Sequence, residues 1–180
     1  YFVGGEMDGN RVALNARDLN RYLTRPGFDT MIVEYRGRGH EHFHDEIHRI
    51  FDWMNLHRRQ FFHEDFKCSS LRPWDNFFWW VELADFPDRS IVVPLAWPNP
   101  KARVASTEAT VGPGNRVRVR SAANQVTVWL SPEMVDFNER IDVSINGKVK
   151  GRDIEPSLKV LLEDVRTRVD RFHPFWAKVN

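Results

Sequence analysis

Arg116-Val117-Arg118-Val119-Arg120 alternates strictly between charged and apolar side chains. Successive side chains of a strand point to opposite faces, so this run reads as a strand with one buried and one solvated face. Gln125-Val126-Thr127-Val128-Trp129-Leu130 follows as a second strand. Further on, Ile141 to Ile145, Asn146-Gly147 and Lys148-Val149-Lys150 make a hairpin signal. Asn-Gly suits a type I′ turn, which needs positive φ at both central residues. Working back, Phe77-Phe78-Trp79-Trp80-Val81-Glu82-Leu83 and Ile91-Val92-Val93-Pro94-Leu95 read as two more strands. Residues 67–152 are therefore expected to form a small antiparallel β domain, sandwich-like or barrel-like.

Beyond it the period changes. Leu158, Leu161, Leu162, Val165 and Val169 recur at helical spacing, and Pro156 fits a first turn. Residues 153–180 are expected to be a C-terminal helix packing that stripe on the β domain.

The first third reads differently again. Residues 1–7 form an apolar strand ending at Gly4-Gly5, and Thr30-Met31-Ile32-Val33-Glu34-Tyr35 forms a second, ended by Gly37-Arg38-Gly39. Val12, Ala16, Leu19 and Leu23 make a helical stripe over residues 10–24, which Pro26-Gly27 stops. Ile47, Ile50, Phe51 and Met54 make another over residues 44–60. Strand, helix, strand, helix favours parallel neighbours joined by a crossover. The expected class is thus α/β over residues 1–63, the end of a parallel sheet with flanking helices. The antiparallel β-rich appendage and the C-terminal helix would follow it.

Composition sets the outer limits. The 180 residues are 42% hydrophobic and 13% aromatic, enough for a core. Charged residues make up 28% with a net charge of +1, so no electrostatic case exists for nucleic acid. A single cysteine, Cys68, excludes an internal disulfide and a cysteine metal cage. No apolar run approaches the roughly 20 residues that span a bilayer. A chain opening on Tyr1 and a core-like strand reads as a piece of a longer polypeptide. Its compartment is then unreadable, with secreted or periplasmic locations open.

Chemistry concentrates at the two strand ends of the first third. Asp8 follows the first, and His40 follows the second in Gly37-Arg38-Gly39-His40-Glu41-His42-Phe43. Histidine titrates near neutrality and serves as base and then acid, and a carboxylate on one ring nitrogen orients the other. Taken alone, the residues also allow a turn aspartate before glycine and a surface histidine. His40-x-His42-x-x-x-Glu46 offers a metal alternative, a spacing seen in cupins, with His44 and His48 four apart beside it. No histidine lies between His63 and His173 to complete such a site. Trp74, Trp79, Trp80, Trp97 and Trp129 present a binding alternative, stacking on sugars or peptides. Arg116, Arg118 and Arg120 read as a solvated strand face.

The Gly4-Gly5-Glu6-Met7-Asp8-Gly9 run, the Val33-to-Phe43 run with Gly39-His40, and the Ile50-Phe51-x-Trp53-Met54 helix resemble the last part of an α/β-hydrolase. The nearest branch is the serine esterase and prolyl-oligopeptidase-like group, and the resemblance covers roughly residues 1–63. It implies that Asp8 is the triad acid and His40 the triad base, acting on an ester or peptide through an acyl-enzyme, with no cofactor. One departure is decisive: no Gly-x-Ser-x-Gly occurs, so the nucleophile elbow is missing. The resemblance therefore implies an inactive piece of a serine hydrolase, whose partners are a missing N-terminal half and possible copies of itself. The competing class is a non-catalytic binding or packing module.

Overall fold

The computed structural model describes residues 1–9, 15, 17–25, 28–92, 101 and 103–180. The chain divides into two compact units, Tyr1–Arg59 and Gln60–Asn180.

In the first unit, β1 (Phe2–Gly5) and β2 (Ile32–Tyr35) pair in parallel, Phe2 opposite Ile32 and Gly5 opposite Tyr35. Residues 10–14 and 16 of the expected first helix, with Val12 and Ala16, and the Pro26-Gly27 stop lie outside the described residues. Its last turn, Asn20–Thr24, is π-helical, and the Arg25 N–H donates to the Asn20 carbonyl at 2.9 Å. The second helix is shorter than the expected 44–60: a 3₁₀ turn, His44–Glu46, leads into α1 (Ile47–Asn55). Ile47, Phe51 and Met54 on that stripe are exposed.

Two side chains fasten α1 within this unit. At its start, Glu46 is fully buried and accepts hydrogen bonds from the hydroxyls of Tyr1 (2.5 Å) and Tyr35. The two phenols, Tyr1 first, hold its pKa below the usual carboxylate range. Just past its end, His57 places Nε2 2.5 Å from Asp29 Oδ2 and Nδ1 2.6 Å from the Trp53 carbonyl. Only an imidazolium carries a proton for both acceptors. Asp29 first, then the Trp53 carbonyl, raise the His57 pKa above the ordinary histidine value. A raised folded pKa stabilises fully below the unfolded value of about 6.5 and is lost as pH rises through the folded value. Hydrogen exchange of the α1 amides should therefore quicken as pH rises from 6 upward, after correction for intrinsic exchange. His57→Gln should remove that dependence; a corrected wild-type profile that stays flat would refute the clamp.

The second unit is built from β. A five-stranded sheet runs β10-β9-β7-β6-β3. Its members are β3 (Asp65–Ser70), β6 (Ala105–Gly112), β7 (Arg116–Ser121), β9 (Asp142–Ile145) and β10 (Lys148–Gly151). A four-stranded sheet runs β11-β8-β5-β4. It holds β4 (Phe77–Phe78), β5 (Val81–Ala84), β8 (Gln125–Leu130) and β11 (Ala177–Val179). Val117, Val119, Val143 and Ile145 from the first sheet join Val81, Leu83, Val126, Val128 and Leu130 from the second in one core cluster. Arg116, Arg118 and Arg120 stay exposed, with Glu108 opposite Arg120 and Asp142 opposite Arg116. At the β9–β10 turn Asn146 and Gly147 have φ of 51° and 78°, both positive as the type I′ turn requires.

The α/β class expected from the first third is overturned. Among the described residues there are eleven strands in three sheets, one a parallel pair, one mixed and one antiparallel, and few helices, so the fold is β-rich. The parallel α/β pattern reduces to one pair, β1–β2. The β region is not purely antiparallel either: β7 and β9 pair in parallel. The chain leaves β7, runs through β8 in the other sheet and returns, and two crossings restore its direction. The expected strand 77–83 is a hairpin turning at Trp79-Trp80, with Phe78 opposite Val81 and Trp79 at φ 52°. Of the expected strand 91–95, residues 93–95 lie outside the described residues, and Ile91 and Val92 are not in a strand.

The C-terminal helix is also shorter and turned around. α2 spans Leu158–Arg168, capped by Ser157 and ended by Val169 at φ 60°, and the chain finishes in β11. Leu158, Leu162 and Val169 face solvent, whereas Asp164 is 2% exposed. Among the described residues, no helix is long and apolar enough to cross a membrane.

Candidate functional site

The β1–β2 pair puts two turns side by side. Asp8 lies in the turn after β1, where its N–H donates to the Gly5 carbonyl at 3.1 Å. His40 lies beyond the turn after β2. Backbone bonds lace the turns together: Glu6 N–H to the Tyr35 carbonyl (2.9 Å) and Met7 N–H to the Arg38 carbonyl (2.8 Å). The Glu6 carboxylate accepts from the Gly37 N–H at 2.9 Å. A Cβ on Gly5 would sit 2.3 Å from the Arg38 carbonyl oxygen, so only glycine permits this approach. Gly37 turns the chain at φ 71°.

The lacing brings Asp8 and His40 together. His40 Nδ1 stands 3.0 Å from Asp8 Oδ2. The Asp8 side chain is 15% exposed and that of His40 79% exposed. With Nδ1 donating to the carboxylate, Nε2 is the ring's free acceptor. The pair can take a proton from a hydroxyl delivered to Nε2 and return it to a leaving group.

A serine or cysteine nucleophile is not part of this unit. Residues 1–63 contain neither serine nor cysteine. Cys68, in β3 of the second unit, is pushed up to about 11 by burial and then by Asp75, so it stays a thiol at neutral pH.

The metal alternative is not assembled. Glu46 is buried under Tyr1 and Tyr35, His40 is on Asp8, and the His42 ring lies 5.6 Å from that of His44. Among the described residues no group of three or more histidine, cysteine, aspartate or glutamate side chains could hold a metal ion. The tryptophans divide by environment. Trp80 and Trp129 are buried, Trp74 and Trp79 are exposed, and Trp97 lies outside the described residues.

Sequence reading missed three residues of the site: Gly5, Glu6 and Arg38. Gly5 stood in plain view in Gly4-Gly5, but the backbone it accommodates is more than thirty residues away. The Arg38-x-x-Glu41 spacing was the available signal for Arg38.

The chain matches no protein-family model, no curated protein and no solved structure at significant similarity.

Proposed function

We propose that the Asp8–His40 pair is the acid–base half of a serine hydrolase site. The nucleophile is a serine on an elbow that these 180 residues do not carry. The observation that carries this reading is the 3.0 Å contact between Nδ1 and the carboxylate, with the rest of the imidazole open to solvent. The link to the hydrolase family rests on the two strand-end motifs.

His40 Nε2 takes the serine hydroxyl proton as the oxygen attacks an ester or peptide carbonyl. The tetrahedral species collapses as the protonated ring gives that proton to the leaving alcohol or amine. Water, deprotonated by the same nitrogen, then cleaves the acyl-enzyme. Asp8 orients the ring and stabilises the imidazolium. A His–Asp pair without a nucleophile performs none of these steps, so these 180 residues by themselves should be inert.

The test uses the longest natural polypeptide containing this sequence, treated with a fluorophosphonate probe and assayed on p-nitrophenyl esters and peptide anilides. A serine adduct should form, and Asp8→Asn should lower kcat by roughly 10⁴ through the wrong tautomer. Absence of an adduct, or turnover unchanged in His40→Ala, would refute the reading and favour a non-catalytic module.

A further inference from the structure

The geometry points to Arg38 as a positioning residue for the Asp8–His40 pair, an inference that rests on the acyl-transfer reading above. Arg38 stands two residues before His40, and its side chain reaches past it. Nε donates to Glu41 Oε1 at 2.7 Å and Nη1 to Asp45 Oδ2 at 2.8 Å. The first bond closes a short loop over Gly39 and His40. The second ties that loop to the 3₁₀ turn that opens α1.

The guanidinium also sits against an aromatic pair. Tyr35 and Phe43 stack with centroids 5.3 Å apart and planes at 18°. Arg38 Cζ sits 4.9 Å from each ring centroid. One ring belongs to β2 and the other precedes the 3₁₀ turn, so the cation bridges the two ends of the segment carrying His40. Its main chain does the complementary work, since the Arg38 carbonyl accepts from Met7 and abuts Gly5, both in the stretch leading to Asp8. A single residue thus holds the histidine loop from the front and the aspartate turn from behind.

This arrangement has a physical need. His40 is mostly solvated, and a single exposed hydrogen bond does not hold a side chain in one geometry. Fixing the backbone on both sides of His40 removes the main-chain freedom by which the ring would leave Asp8, so that only side-chain rotation competes with the contact. Glu41 and Asp45 also raise the Arg38 pKa, and Arg38 lowers that of Glu41. Arg38 and Glu41 therefore stay ionised at any pH where an imidazole titrates. Lysine cannot reproduce it, because an ammonium offers neither the planar fork nor the stacking face.

The test reads the tautomer of His40 directly. Uniformly ¹⁵N-labelled full chain is recorded for long-range proton–nitrogen correlations of the imidazole rings, at a pH where His40 is neutral. The wild type should carry its proton on Nδ1, toward Asp8. Arg38→Ala should lose the Nδ1–H signal while the amide shifts of β1, β2 and α1 hold. Persistence of that signal in folded Arg38→Ala would overturn the inference, as would its full restoration by Arg38→Lys. Should Arg38→Ala unfold the unit, Glu41→Ala combined with Asp45→Ala removes both acceptors and keeps the aromatic stack. Loss of the signal there supports the clamp, and retention overturns it. A wild type without Nδ1–H, or one indifferent to Asp8→Asn, would instead sink the acyl-transfer reading, so the two failures are told apart.

Discussion

Trp80→Ala should cost the second unit about 3–5 kcal/mol, the range for deleting a large buried aromatic and leaving a cavity. Trp80 has no solvent exposure and is the largest fully buried side chain described. Its ring meets Phe66 edge-on at 5.3 Å, and its indole N–H donates to the His63 carbonyl at 2.9 Å. The substitution removes the packing and strands that carbonyl. Domain stabilities are of order 5–15 kcal/mol, so a large share would disappear. Urea denaturation followed by far-ultraviolet circular dichroism measures it. The exposed Trp74 provides the contrast, because Trp74→Ala should stay within about 0.5 kcal/mol. A loss below about 1 kcal/mol for Trp80→Ala would mean the core is not organised around this indole.

The second large effect is Asp164→Ala, expected near 3 kcal/mol. The buried carboxylate accepts from Arg168 Nε (2.5 Å) and Nη2 (2.6 Å) and from the Phe175 N–H (2.9 Å). Arg168 in turn donates to the His173 carbonyl at 3.0 Å and covers the Phe175 ring at 4.3 Å. Alanine leaves the Phe175 N–H, in a buried residue, without its acceptor and Arg168 without its counter-charge. Hydrogen bonds to charged groups contribute about 1.5–3 kcal/mol each, and broken buried pairs cost about 3–5; the partial exposure of Arg168 puts the value at the lower end. Leu162→Ala should change stability by less than about 0.5 kcal/mol because Leu162 is exposed. Reversal of that order in the same urea titrations would restore the leucine stripe as the packing face.

These two residues also mark what local pattern reveals. The strands 116–121 and 125–130 were legible because side-chain alternation and β-branched content act within one segment. The Asn146-Gly147 turn was legible because positive φ is a property of the residue itself. The orientation of α2 was not. A stripe of leucine and valine suggests burial, but Asp164 decides the docking face, and its partner Phe175 arrives from eleven residues away. The helix-plus-strand order of the first third suggests an α/β class because nothing in the sequence signals sheet size. The eleven strands of the described residues show that class to be β-rich.

For the site, the candidates can be read along the chain. An acid and a histidine each follow a glycine-ended strand, and no serine elbow accompanies them. Their meeting is a product of folding, because a 3.0 Å contact depends on parallel register and on the backbone approach that Gly5 allows. Residue type and period act locally and can be read along the chain. Which distant groups share a turn is set by register and packing, and those emerge only when the strands pair.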